Sequence, residues 1–162
     1  MGATALLRQS YYDAIWYGQL RDKKEGNLSL EAFNEQWEMP HFFETRDKLE
    51  ILRADVIGDE FDLQYHYFGN GDEYQRAKEI KAAGGTVVIP LDFPAAWDVS
   101  DPYVSRMVSL AEMKHWEMAP ANAAILAKEG VPFCITSKGC SPKDFLNNLR
   151  KAVAHGLTEE MA

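Results

Sequence analysis

The chain has 162 residues, with 17 Lys or Arg against 25 Asp or Glu, a net charge of −8 and 46% apolar residues, which describes one soluble domain long enough to bury a real core. Its pI is near 5.0 and its largest basic cluster is Arg21, Lys23 and Lys24, so it lacks the phosphate grip that DNA or RNA binding requires. No run of about 18 apolar residues could span a bilayer, and the uncharged stretch 1–7 is short and unflanked for a signal peptide, so neither membrane association nor targeting is expected.

Leu7, Tyr11, Ala14 and Ile15 recur at the spacing of one helical face, which predicts a first helix over 5–20. Thr4 is its only N-cap candidate, so the helix starts almost directly at Met1. A charged loop follows at 21–27, then a short helix over 30–38 that Pro40 ends. From there short apolar runs alternate with longer amphipathic ones. Strands are expected at 41–44, 63–68, 86–90 and 131–136. The segment 47–61 reads as a helix with Leu49, Leu52 and Val56 on its buried face, and 72–83 as a helix stopped by Gly84 and Gly85. A longer insert separates the third and fourth strands. It holds a Pro-containing loop at 91–102, a helix near 109–118, and a helix over 120–129 that starts on Pro120 and buries Ala121, Ala124 and Ile125. The last full helix is capped by Ser141, buries Phe145, Leu149 and Val153, and stops at Gly156. By the same capping logic Thr158-Glu159-Glu160 opens a further helix that the chain does not complete.

Four βα units with apolar strands predict an α/β fold, a parallel sheet with covering helices and any site at the carboxyl ends of the strands. Two architectures fit: an open doubly wound sheet, or half of a (β/α)8 TIM barrel, whose full length is typically about 250 residues. The two chain ends favour the half barrel, with residues 1–162 as a single partial-barrel domain of a longer protein. The strand ends fall at 44–46, 69–72, 91–93 and 137–139. Glu44 there is either a general base or metal ligand, or an N-cap or helix-dipole partner. The turn Gly69-Asn70-Gly71 has the form of an anion cradle, although Asp72 opposes a phosphate. Lys138 either holds a substrate carboxylate or is simply solvated.

The histidines, His41, His66, His115 and His155, show no zinc-binding spacing. Pleat alternation turns His66 away from the Gly69 face, and packing against a covering helix is expected for it. Cys134, inside a strand, reads as a small core residue, and with Cys140 it forms neither a disulfide scaffold nor a zinc ribbon, which leaves the compartment open between cytoplasm and periplasm. Trp97, Met113, Trp116 and Met118 read as packing for the insert or as a wall of a cleft.

In order and spacing these residues resemble the metal-dependent amidohydrolases, in particular the imidazolonepropionase-like and prolidase-like members. Where that family has a strand bearing a histidine, a helix ending in Glu-Phe-Gly-Leu, a strand ending in His-Gly and a helix opening with Ala-Tyr, this chain has Glu44, Glu60-Phe61-Asp62-Leu63, Gly69-Asn70 and Glu73-Tyr74. The family's Gly-Val-Pro, apolar strand, Thr-Asp and final Gly-Leu-Ser with Glu-Glu-Ala correspond to Gly130-Val131-Pro132, 133–136, Ser137-Lys138 and Gly156-Leu157-Thr158-Glu159-Glu160. Met1-Gly2-Ala3 with Leu6-Leu7-Arg8 is similar to the segment before the family's fifth strand. The resemblance spans essentially the whole chain as the second half of the barrel. It implies a hydrolase of carbon–nitrogen bonds, zinc or a similar divalent metal as the parent family's cofactor, and the rest of the barrel or a second copy as partner. It also implies that the metal-ligand positions are Glu44, Gly69 and Lys138, standing where the family has His, His and Asp. A glycine and an ammonium cannot ligate, so no metal is expected in this segment and the half domain is expected to be inactive alone, with a non-catalytic pseudoenzyme or structural module as the alternative.

Overall fold

A computed structural model describes residues 2–20 and 26–162; most of the expected loop at 21–27 lies outside the described residues. Helix α1 (Gly2–Gln19) turns Tyr11, Ala14 and Tyr17 inward. The Tyr11 hydroxyl lies 2.7 Å from that of Tyr65, and its ring meets Phe33 and Trp37 edge-on and Phe61 at a tilt. Helix α2 (Leu28–Glu35) is capped by Asn27, whose side chain accepts from the Ser29 and Leu30 amides. It leans on α1 through the Asn34 amide, which donates to the Ala14 carbonyl at 2.9 Å.

Four strands follow, β1 (His41–Glu44), β2 (Tyr65–Phe68), β3 (Val87–Pro90) and β4 (Phe133–Thr136). The last three begin one or two residues later than the apolar runs suggest. All pair in parallel, in the order β1-β2-β3-β4, and one line of register runs Glu44–Phe68–Val88–Cys134. The order never reverses, so the sheet has no topological switch point and is not doubly wound. The connections carry α3 (Lys48–Glu60), α4 (Ala77–Ala83), α7 (Asn122–Glu129) and, after β4, α8 (Pro142–Ala154). The insert between β3 and α7 holds α5 (Pro102–Met107), which starts where the expected loop at 91–102 ends and which the sequence reading does not assign, and α6 (Leu110–Met118). The first turns expected of α4 and α7 are tighter 3-10 turns, Glu73–Arg76 and Ala119–Ala121.

The two faces of the sheet differ. Tyr65, Tyr67, Val87 and Ile89 form one core with Ile51, Ala54, Ile57, Ile80, Leu126 and Ala152 of the helices. On the opposite face Phe42 and Cys134 are exposed, and His66, Phe68 and Val88 are only half-buried. Pleat alternation therefore assigns each strand one helix-covered side and one open side. Cys134 is thus a surface thiol of the open face, not a core residue. His66 lies on the same face: its ring sits 5.4 Å from that of Phe42 and its Nδ1 accepts from the Thr86 amide, so it does not pack on a covering helix.

Two helical faces are also rotated from expectation. α3 buries Ile51, Ala54, Ile57 and Gly58, while Leu49 and Val56 are exposed. α7 buries Asn122, Ala123 and Leu126, and Ala121, Ala124 and Ile125 are half-buried. In α8, Ala152 is fully buried, and Phe145, Leu149 and Val153 only partly. After Gly156, whose φ is +108°, Thr158 closes a single turn by accepting from the Ala162 amide at 3.0 Å.

Candidate functional site

Parallel pairing gathers the carboxyl ends of all four strands at one end of the sheet. Glu44 and Thr45 at the end of β1, Phe68, Gly69 and Asn70 at the end of β2, Pro90 and Asp92 at the end of β3, and Lys138 and Gly139 after β4 line one cleft of about 220 Å³. The three positions Glu44, Gly69 and Lys138 thus meet in space, although Glu44 and Lys138 are 94 residues apart in sequence.

Within the cleft, Lys138 Nζ donates to Glu44 Oε1 at 2.5 Å. The neighbouring ammonium holds the Glu44 carboxyl below the usual range for glutamate, by hydrogen bond first and charge second. Both side chains are largely exposed, so the pair is an accessible ion pair and contributes little to folding. Glu44 is not a helix-dipole partner, because α3 is capped by Asp47, whose side chain accepts from the Leu49 and Glu50 amides. Thr45 fixes the β1 end by donating from both its amide and its hydroxyl to the Phe68 carbonyl. Gly139, at φ +84°, brings the chain against Asp92; a Cβ there would lie 2.6 Å from Asp92 Oδ2.

The Gly69-Asn70-Gly71 turn is an anion cradle, but the chain fills it from within. Glu73 is completely buried. Its Oε1 accepts from the Asn70 and Gly71 amides at 2.6 and 3.0 Å, and its Oε2 from Asn122 Nδ2 at 2.6 Å. The amides that would hold a phosphate already hold this carboxylate. The same carboxylate makes Gly69 obligatory, since a Cβ there would stand 2.1 Å from Glu73 Oε1. Asp72 is likewise committed, to the Lys48 amide at 2.9 Å and the Lys48 ammonium at 3.0 Å.

The donor set does not fit zinc or a similar catalytic ion. The cleft offers two carboxylates, Glu44 and Asp92, one of them already neutralised by an ammonium, and at Gly69 no space for a ligating side chain. Among the described residues, no group of three or more His, Cys, Asp or Glu is placed to hold a metal. Three histidines spend a ring nitrogen away from the cleft: His41 on the Trp37 carbonyl, His66 on the Thr86 amide and His155 on the Lys151 carbonyl. The fourth, His115, stacks on Tyr74 with ring centroids 6.1 Å apart, which seats α6 beside the β2–α4 connection. Near it, Ala96, Trp97, Val99, Met113 and Trp116 line a separate apolar pocket of about 170 Å³ in the insert, without Met118.

Sequence reasoning singles out Glu44, Gly69 and Lys138, and Asn70 as part of the glycine turn, but passes over Asp92, Glu73 and Asn122 as site residues. Asp92 lies inside an expected strand-end stretch, so position alone points to it. Glu73 carries a fainter signal: a carboxylate just beyond a Gly-x-Gly turn is placed to satisfy that turn's amides itself. No protein-family model matches the chain, and neither a curated protein nor a solved structure matches it.

Proposed function

We propose that this chain is the second-half wall of an amidohydrolase-type (β/α)8 barrel in which the metal positions have been given over to an ion pair and a glycine. In this reading it belongs to a hydrolase class that acts on carbon–nitrogen bonds, and it supplies scaffold and cleft without metal-activated water. The observation that carries the reading is the meeting of Glu44, Gly69 and Lys138 in one cleft, with the Lys138 ammonium on the Glu44 carboxylate. The unreversed strand order and the helices gathered on one face support it, because a barrel wall needs both.

Hydrolysis of an amide by a metal-bound water needs several ligands and a base on that water. Here an ammonium sits where the base would stand and repels a cation from the carboxylate beside it. The test is elemental analysis of protein purified without chelators, together with hydrolysis assays on N-acyl amino acids and cyclic amides with added zinc. Metal well below one per chain and no turnover above the buffer rate are expected. One metal per chain, with chelator-sensitive hydrolysis, would overturn the proposal.

A further inference from the structure

We infer that the open face of the sheet is closed by a second copy of this chain, β4 of each copy pairing with β1 of the other around a twofold axis parallel to the strands. The inference extends the barrel-wall reading above. It begins from hydrogen bonding at the two edges. Among the described residues β1 pairs only with β2, and β4 only with β3, which leaves one row of backbone donors and acceptors without a strand partner on each outer side. Because all four strands run the same way, joining like edges would make an antiparallel contact and leave the open face in water. Joining β4 to β1 twice uses both free edges and makes all eight strands parallel. It also turns Phe42, His66, Phe68, Val88 and Cys134 of each copy inward, with the helices outside. Eight is the strand number at which side chains alone fill a closed sheet. A twofold contact of this kind is self-complementary, as closed dimers require.

The flanks next to these edges are shaped for neighbours. Between α1 and α3, the helix that follows β1, the exposed Leu49 and Val56 and the half-buried Leu52 line a groove of about 440 Å³. Beside β4, Ile135, Phe145 and Leu149 wall another of about 410 Å³. The surface area points the same way. The chain exposes 10880 Å², whereas a compact monomer of 18.3 kDa exposes about 8,100 Å². The excess of roughly 2,700 Å² accommodates both the splayed insert and the ~800 Å² per partner that a stable interface buries.

Cys134 reports on closure because it is exposed on the face that would become the interior. The experiment measures mass by sedimentation velocity and the rate of Cys134 alkylation in a Cys140→Ser background, across a series of protein concentrations. The expected result is a dimer in which alkylation slows by roughly tenfold or more as the dimer fills. Phe42→Asp, which places a carboxylate in the closed interior, should weaken the dimer by about 100-fold while leaving the far-ultraviolet circular dichroism unchanged. A chain that stays monomeric, as it would if a different barrel half covered this face, overturns the inference. So does a dimer whose Cys134 reacts at the monomer rate, as like-edge pairing would give. Either failure leaves the metal and hydrolysis test of the proposed function untouched, and a bound metal would overturn that proposal without touching this one.

Discussion

Glu73 is the side chain on which the β2–α4 connection turns. A carboxylate shut off from water is tolerable only when it is fully hydrogen-bonded, and here the Asn70 and Gly71 amides and the Asn122 carboxamide supply the donors. The other end of Asn122 accepts from the Tyr74 amide at 2.8 Å, so one polar cluster ties α7 to the end of β2. Replacing Glu73 with Ala would strand these donors in the interior. The expected loss is about 3 kcal/mol, read as a lower urea midpoint, with Glu73→Gln intermediate because it keeps one acceptor. Loss of less than the scatter between repeat melts would show that the turn does not depend on the internal anion. Lys138 invites the opposite experiment. Lys138→Asp releases Glu44 and puts a third carboxylate beside Glu44 and Asp92, so the variant should bind Mn²⁺ or Zn²⁺ measurably by calorimetry where the parent chain does not. Equal heats for the two proteins would mean that Lys138 is not what keeps cations out.

Among the elements, the cap read at Ser141 is the one found, Thr4 lies inside α1 instead of capping it, and Ser109 is a cap that the sequence reading does not name. Ser109 and Ser141 each accept from the amide three residues on, at 3.2 Å, at the starts of α6 and α8. The same substitution at the two sites should nonetheless give different readouts. α8 buries Ala152 completely and donates from Asn148 to the Leu91 carbonyl at 2.7 Å, so Ser141→Ala should lower global stability by about 1 kcal/mol. α6 buries no residue fully, so Ser109→Ala should raise amide exchange within α6 and leave the melting temperature of the sheet unmoved. Periodicity misleads at α3 because that helix carries two apolar stripes. One, Ile51, Ala54 and Ile57, meets the sheet, and the other, Leu49, Leu52 and Val56, lies along the groove beside α1, with Leu49 and Val56 exposed and Leu52 half-buried. Both spacings fit one face of a helix, and only the tertiary neighbour distinguishes them. At α7 the error comes from a polar residue. Asn122 is inside because Glu73 and Tyr74 bond it, and a reading that assigns polar side chains to water rotates the helix away from it. The strand ends were legible because apolar runs mark where parallel strands stop. The filled cradle was not, since Gly-Asn-Gly is the same whether its amides face a ligand or the chain's own carboxylate.

At the scale of the whole molecule, packing on only one face of the sheet sets a gradient of stability. The central strands are bonded on both sides: the Tyr67 amide donates to the Thr86 carbonyl at 2.9 Å, the Gly69 amide to Val88 at 2.9 Å and the Val87 amide to Pro132 at 3.0 Å. Their helix-facing side chains, Tyr65, Tyr67, Val87 and Ile89, are each at most 2% exposed. Opening these amides requires the shared core to come apart, so their exchange should report the global unfolding free energy. The insert is different in kind. α5 and α6 bury no residue fully, and Tyr103, Met107 and Leu110 are more than two-thirds exposed. Little apolar area is lost when this segment opens, so its amides should exchange by local opening, several orders of magnitude faster than those of β2 and β3. Hydrogen exchange followed by mass spectrometry on peptides from 65–69 and 102–118 separates the two regimes. The protection of 65–69 should fall steeply with added urea, while that of 102–118 should be almost insensitive to it, because the first opening exposes a core and the second does not. Equal urea dependence in the two peptides would mean that the insert folds as part of the core, and that the apolar pocket around Trp97 and Trp116 is a structural contact of the domain.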